Sequence, residues 1–360
     1  MVILNLEEFR GVIMRVGIVG AGSIGNHFAH SFSKASWDVD VYDVDDNALV
    51  RMRDEIYPSR YGAISPKIAL WNNKEDFLKM KFDLVVIGTP PDTHTTVFIE
   101  LVKVVECPIM IEKPACTPNL DDLEHLETQI QNYKNKVFIG FNHRVARSTL
   151  IVQNLITANS LGVPSSVEVN WDESWEGILK AHPWLNSPQD SYLGFTSRGG
   201  GALFEHSHGI DLALYFSGVT DLETITKFSS RPVKVGEGAS FYDESIAVEL
   251  ELKDSRFIKV HQDVITFPAH KEIRLNFSNA QISLQFGKVP NTDVIHAVID
   301  ASAAVSCDIS VQKSRPDDFD QEVRSLEQYL LGNIRYEDHP LRASLGLITA
   351  AVSISALNGG

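Results

Sequence analysis

The strongest constraint on this chain is the stretch from Met14, MRVGIVGAGSIGNHFAHSF. A short β-branched, apolar run meets Gly20-Ala21-Gly22-Ser23-Ile24-Gly25, and apolar residues at helical spacing follow, Ile24, Phe28 and Phe32. Strand, glycine turn and helix in that order make a GxGxxG unit. The pattern alone is common, but here VDVYDVDD follows as a second strand and places an acid, Asp43, 18 residues beyond Gly25. Gly20 permits the tight turn, Gly22 lets the backbone approach a pyrophosphate, and Gly25 allows the helix to pack closely on the strand. The N–H groups that open the helix at Ser23 and Ile24 then face the anion. Asp43 can accept hydrogen bonds from both hydroxyls of an adenosine ribose and repels a 2′-phosphate, so NAD is expected as cofactor in preference to NADP.

FDLVVIGTPPDTHTTVFIELV, PIMIEKP and KVFIGFN supply further short runs that are apolar on both faces, as strands of a parallel sheet covered by helices should be. Residues 14–141 are therefore expected to form a doubly wound α/β domain. After Asn142 the texture changes. SSVEVNW (165–171), SIAVELEL (245–252), FIKVHQDV (257–264) and EIRLNFSNAQISLQF (272–286) alternate apolar and polar residues, which predicts half-buried antiparallel strands in an α+β domain over 142–360. Two helical stretches, FDQEVRSLEQYLLGNI and SLGLITAAVSISAL, close the chain. Residues 1–13, ahead of Met14, read as an extension.

With 32 Lys+Arg against 47 Asp+Glu, the 360-residue chain carries a formal charge of −15, which disfavours nucleic acid and anionic membrane surfaces as partners. No apolar run reaches the length of a membrane span, and the start shows no secretory pattern. Cys107, Cys116 and Cys307 offer neither a CxxC nor a disulfide framework, which points to a reducing, cytoplasmic setting.

Ligands of open α/β sheets bind at the carboxyl ends of the strands, where Thr89-Pro90-Pro91 and Glu112-Lys113-Pro114 fall. Lys113 then stands beside the nicotinamide, able to exchange a proton with a substrate hydroxyl. A third cluster, Arg198-Gly199-Gly200-Gly201-Ala202-Leu203-Phe204-Glu205-His206-Ser207-His208-Gly209-Ile210-Asp211, leads from a glycine hinge into a helix on which Glu205, His208 and Asp211, spaced by three, could share a face. His-x-His with nearby acids can also bind zinc or iron, but on a helix the two rings diverge and no second ligand set is evident, so no metal is expected. His206 reads equally as a packed histidine or a substrate ligand.

GAGSIG, VIGTPPDTH, EKP, GFNHR and GGGALFEHSHGID, in that order, resemble the Gfo/Idh/MocA family, relatives of glucose-fructose oxidoreductase and inositol dehydrogenase, from about Met14 to the C-terminal helices. The resemblance implies a Rossmann domain followed by an open, mostly antiparallel sheet whose flat face forms a homodimer or homotetramer interface. It also implies hydride transfer between NAD(P) and a carbinol carbon of a sugar, polyol or nucleotide-sugar. It assigns proton transfer to Lys113 and His208 with Glu205, and the cofactor to Gly20, Gly22, Ser23, Ile24, Gly25, Asp43, Thr89, Pro90, His94, Glu112 and Lys113. Asn142, Arg144, His182, Trp184, His206 and Asp211 are the implied substrate residues. Glu205 departs from the family pattern, in which an aspartate stands four residues before the histidine. HPWLNSPQDSYLGFTSRGGG resembles a subgroup with the shorter spacing and puts His182, Pro183 and Trp184 near nicotinamide or sugar; the stacking of sugars on aromatic faces suits Trp184 and Trp175. Arg144, Arg147 and Arg198 leave a charged nucleotide-sugar open.

The leading expectation is an NAD-dependent sugar or nucleotide-sugar dehydrogenase. Its rivals are a glycosidase that uses NAD for transient oxidation and a non-catalytic sensor of NAD or sugar.

Overall fold

Strands buried on both faces require helices on both faces, and the first half of the chain supplies them in alternation. The computed structural model describes residues 13–358 except Ala181, Pro183, Ala239, 300–304 and Arg315, so the expected N-terminal extension and the role read for Pro183 lie outside the described residues. Six parallel strands, β1 (Arg15–Val19), β2 (Asp38–Tyr42), β3 (Ile68–Trp71), β4 (Leu84–Ile87), β5 (Ile109–Glu112) and β6 (Val137–Gly140), lie in the order β3-β2-β1-β4-β5-β6. The direction of the strand order reverses between β1 and β4, and a crevice opens there at the carboxyl ends of the strands. Val16, Ile18, Val39, Val41, Leu84 to Ile87, Ile109 to Ile111 and Val137 to Ile139 are all buried. The sequence reading overlooked β3, whose four residues, IALW, are too few to show a period.

The second sheet has eight strands: β7 (Ser166–Asp172), β8 (Ile225–Glu237), β9 (Ser240–Leu252), β10 (Phe257–Asp263), β11 (His270–Asn276), β12 (Ala280–Val289), β13 (Thr292–Ile299) and β14 (Val305–Gln312). Their order is β14-β13-β12-β11-β7-β10-β9-β8. All pairings are antiparallel except β7 with β10. The run 272–286 is a hairpin of two strands, and β8, β13 and β14 were not foreseen; β8 is a sheet edge with little burial and so lacks alternation. Val167, Val169 and Trp171 of β7 and Ile258 and Val260 of β10 point inward to the helix His208–Phe216, while Glu168, Asn170, Lys259 and His261 face outward.

The two closing helices, Asp317–Leu330 and Ala343–Leu357, return to the first sheet. Lys34 pairs with Asp320 at 2.5 Å, Trp37 Nε1 donates to Glu327 Oε1 at 3.1 Å, and Ile139 N on β6 donates to Leu341 O at 2.9 Å. Gly346 lets the last helix lie on β6, because a Cβ there would stand 2.6 Å from Ile139.

Arg144 ties these parts together. Its Nε and Nη2 grip both carboxylate oxygens of Asp211, Nε at 2.8 Å; Nη1 donates to Pro340 O at 2.8 Å, and Thr349 Oγ1 donates to Asp211 Oδ1 at 2.8 Å. Both residues are essentially buried and neither lines the main cleft. This corrects the expectation that Arg144 and Asp211 bind substrate: each already spends its charge on the other. Arg144→Ala strands a buried carboxylate and should destabilise the protein by about 3–5 kcal/mol, as urea unfolding would show; Arg144→Met with Asp211→Leu should recover most of that loss.

Candidate active site

One cleft of about 1000 Å³ runs from the glycine turn between the two sheets. Gly20, Gly22, Ser23, Ile24 and Asp43 line one end. Thr89, Pro90, Glu112, Lys113 and Asn142 line the middle. Trp171, His182, Trp184, Tyr192, Glu205, His206, His208, Lys271 and Lys313 line the other.

At the first end, Gly20 has φ +110°, and a Cβ on Gly25 would stand 1.9 Å from Gly20 O, so the turn tolerates neither residue being replaced. Gly25 is buried in that packing and does not line the cleft. Gly22 is different, for a Cβ there would meet nothing within 4 Å. The open space lies over the start of the helix Ser23–Lys34, which has no side-chain cap. An uncapped helix N-terminus with open space above it fits a pyrophosphate. Asp43 accepts from Ala21 N at 2.7 Å and Asp45 N at 2.9 Å, which fixes its carboxylate at the cleft wall with lone pairs to spare for ribose hydroxyls.

In the middle, Lys113 Nζ donates to Glu205 O at 2.8 Å and lies 3.7 Å from Glu205 Oε2, which accepts the Tyr192 hydroxyl at 2.9 Å. Burial and the Glu205 charge push the Tyr192 phenol well above its usual range. Glu205 thus faces Lys113 directly, despite its shortened spacing to His208. The helix expected over 205–211 breaks at His206-Ser207: Glu205 ends Ala202–Glu205 and His208 begins His208–Phe216. The hinge before it is shaped by Asp243 on β9, which accepts from Leu203 N at 2.8 Å and occupies the place of any side chain at Gly201, φ +89°. Burial raises the Asp243 carboxyl to about 7.

At the far end, the His208 ring stands 4.6 Å from that of His143, and Trp171 and Phe286 complete the box at 5.1 Å from His143. The Nδ1 atoms of His143 and His208 and Asn142 Oδ1 are buried with no hydrogen-bond partner among the described residues. Loss of hydration holds both histidines well below the ordinary 6.5, helped for His143 by Lys313, Lys271 and Lys113 and for His208 by His143, Lys113 and Lys271. Both are therefore neutral at pH 7. His206 lines the cleft with Nε2 3.1 Å from Glu173 O, and the His182 and Trp184 rings meet edge to face.

Several expected residues stand elsewhere. His94 is fully buried behind the cofactor loops, its ring nitrogens 2.8 and 2.9 Å from Thr89 O and Pro114 O, so it joins the two loops instead of lining the cleft. Trp175 packs in a small core with Leu193, Ala202 and Val264. Arg198 pairs with Asp92 at 2.6 Å, and Arg147 is exposed at the start of its helix. His143, Trp171, Tyr192, Lys271 and Lys313 were overlooked. His143 was within reach, standing beside Asn142 in GFNHR; Lys271 and Lys313 come from the sheet domain and carry no local signal.

Residues 14–141 match the sequence profile described as the oxidoreductase family with an NAD-binding Rossmann fold, Gfo/Idh/MocA. That match is confined to the first domain, an NAD-binding one. No curated protein sequence matches the chain. Among solved structures it resembles the UDP-N-acetylglucosamine 3-dehydrogenase GnnA from Acidithiobacillus ferrooxidans (TM-score 0.71, 14% identity, 96% of this chain and 97% of that one). A levoglucosan dehydrogenase in complex with NADH and levoglucosan is similar to it (TM-score 0.76, 12% identity, 96% of both chains). So is Gal80p from Saccharomyces cerevisiae (TM-score 0.72, 12% identity, 96% and 95%). At these identities the likeness is one of fold. Among the described residues no helix is long and apolar enough to cross a membrane.

Gly22 has an ordinary φ of −72°, so Gly22→Val should leave the melting temperature unchanged yet weaken NAD binding roughly tenfold or more, read by calorimetric titration. The neutral histidines make a second expectation. An unfolded chain protonates them below 6.5 and the folded one does not, so they cost stability as pH falls from that value. His208→Gln should relieve up to about 1.4 kcal/mol per pH unit of that loss, seen by comparing unfolding of the two proteins at pH 5 to 7.

Proposed function

We propose that this protein is an NAD-dependent dehydrogenase that oxidises a hydroxyl-bearing carbon of a sugar, polyol or nucleotide-sugar. The observation that carries the reading is the position of Lys113, held by Glu205 in the same cleft as the glycine turn and within the field of two neutral histidines. The bound NAD would supply the acceptor for the carbon-bound hydrogen, which leaves as hydride. Ser23, Ile24 and Asp43 would hold the dinucleotide, and Thr89, Pro90 and Glu112 would lie along it toward Lys113.

A base near the reacting hydroxyl must be unprotonated at working pH and able to reach the proton. His208 qualifies on chemical grounds, since it is neutral and its Nδ1 has no protein partner. The Lys113 ammonium would stabilise the oxygen as it gains negative charge, while His208 takes the hydroxyl proton. Glu205 then keeps Lys113 in place through its carbonyl. Trp171, Trp184 and Phe286 offer apolar surfaces on which a sugar ring can stack, and Asn142, His143, His182 and His206 offer groups for its hydroxyls.

The sensor alternative has a structural counterpart in Gal80p, named as a super-repressor mutant, which shares the fold. Against it stands the proton-handling set itself: a binding-only protein has no physical need for an ammonium and an orphaned neutral imidazole in one cleft. Lys113→Ala should keep NAD binding but lower turnover by about 10²–10³-fold, measured as NADH formation on a panel of sugars, polyols and nucleotide-sugars. Unchanged turnover in the variant would overturn the mechanism, and release of free sugar without net NADH would favour the glycosidase chemistry.

A further inference from the structure

Two acids are buried together beneath the Glu-Lys-Pro turn. Glu112 ends β5 and is 5% exposed; Glu322, on the helix Asp317–Leu330, is 0% exposed. Glu112 Oε2 accepts from Lys113 N at 3.0 Å, but Glu112 Oε1 and both oxygens of Glu322 have no hydrogen-bond partner among the described residues. The side chains converge over Gly140, the register partner of Glu112 on β6: a Cβ on Gly140 would stand 2.9 Å from Glu112 Oε1 and 3.3 Å from Glu322 Oε1. The missing side chain is the space the two acids use.

Neighbouring carboxyl groups removed from water cannot both ionise, and an unpaired buried carboxylate oxygen is costly. A single proton placed between the two satisfies a donor and an acceptor at once. The direction of the titration agrees: burial carries Glu112 to about 7, and burial with the Glu112 charge carries Glu322 well up. The charged groups whose fields reach the pair are Lys113 and Glu205 on the Glu112 side and Asp318, itself bonded to Lys313 at 3.0 Å, on the Glu322 side. Other groups meet the same helix at other residues. His27 stacks on Phe319, Lys34 pairs with Asp320, and His339 reaches Ser325. Arg144, from the segment after β6, is committed to Asp211.

We propose that Glu112 and Glu322 form a carboxyl dyad that shares one proton, with Glu322 acting as a positioning residue that fixes Glu112 and, through the Lys113 N–H, the Glu-Lys-Pro turn. No atom is transferred; the dyad holds one proton and one negative charge between its four oxygens. The positioning role rests on the reading of Lys113 given above, whereas the shared proton does not.

Infrared spectra of the full-length protein test the proton directly. A solvated glutamic acid has ionised above about pH 4.3, whereas the dyad should keep a protonated-carboxyl C=O band at neutral pH and above. Subtracting the spectrum of Glu322→Gln should isolate that band, because the Asp243 carboxyl is common to both proteins. Gly140→Ala keeps both acids but wedges them apart, and should move the band to the higher wavenumber of a carboxyl without a hydrogen-bond partner. No band in the wild-type difference spectrum at pH 6, or a band that Gly140→Ala leaves in place, would overturn the dyad. For positioning, Glu322→Met should lower kcat roughly tenfold to a hundredfold with KM little changed, and Glu322→Gln, which restores a donor to Glu112, should recover part of it. Equal kcat in Glu322→Met and wild type would overturn positioning while leaving the dyad standing. Absence of turnover in wild type with every substrate would instead count against the dehydrogenase reading.

Discussion

Everything in this structure that bears on chemistry depends on the buried pair between Arg144 and Asp211. Arg144 stands just past β6, where the chain leaves the first sheet; Asp211 lies one turn into the helix that begins with His208. Pro340 and Thr349 bring the C-terminal segment to the same point. Burying two full charges is expensive, and the interaction is favourable only because the contact is bidentate and the remaining donors and acceptors are met. One polar knot therefore sets where the histidine helix sits relative to β5 and Lys113. A sheet interface of apolar side chains alone would tolerate sliding, whereas a forked hydrogen-bond pair does not.

The cleft shows how little the overall charge of −15 says about a site. Its lysines are each matched by an acid: Lys74 with Glu100, Lys113 with Glu205, Lys271 with Glu173 at 2.5 Å, and Lys313 with Asp318 and Asp293 at 3.0 and 3.2 Å. His143 and His208 among them are kept neutral by lost hydration and by Lys113 and Lys271. Such a lining presents many donors and acceptors at fixed positions, which is what a polyhydroxylated ligand needs. The other end of the cleft offers something different, the uncapped backbone N–H groups of a helix start.

The same two-domain fold occurs in dehydrogenases and in Gal80p at comparable similarity, so fold by itself does not select between them. What bears on function in this chain is the content of its cleft: the Lys113 ammonium, the neutral His208 imidazole and Glu205, which holds the ammonium. The departure at Glu205 from the aspartate spacing that the family resemblance implies is absorbed by a break between two short helices. That break lets the carbonyl of Glu205, rather than its side chain alone, meet Lys113.

The sequence by itself determined the Rossmann domain and the glycine turn that lines one end of the cleft. Glycine, strand and acid are local signals there, and the steric demands that make Gly20 and Gly25 obligatory act within a few residues. It also determined the candidate proton-transfer residues Lys113, His208 and Glu205, because each stands in a short motif. Only the tertiary structure decided which charged residues are spent on holding the fold. Arg144 and Asp211 are 67 positions apart and look like substrate ligands until their mutual distance is known. The same holds for Lys271 on β11 and Lys313 just past β14, and for Glu322, brought under Lys113 by a helix more than two hundred residues away. Charges remote in sequence leave no periodic trace. Whether such a group faces water, a ligand or another charge depends on its distances after folding, which no local pattern encodes.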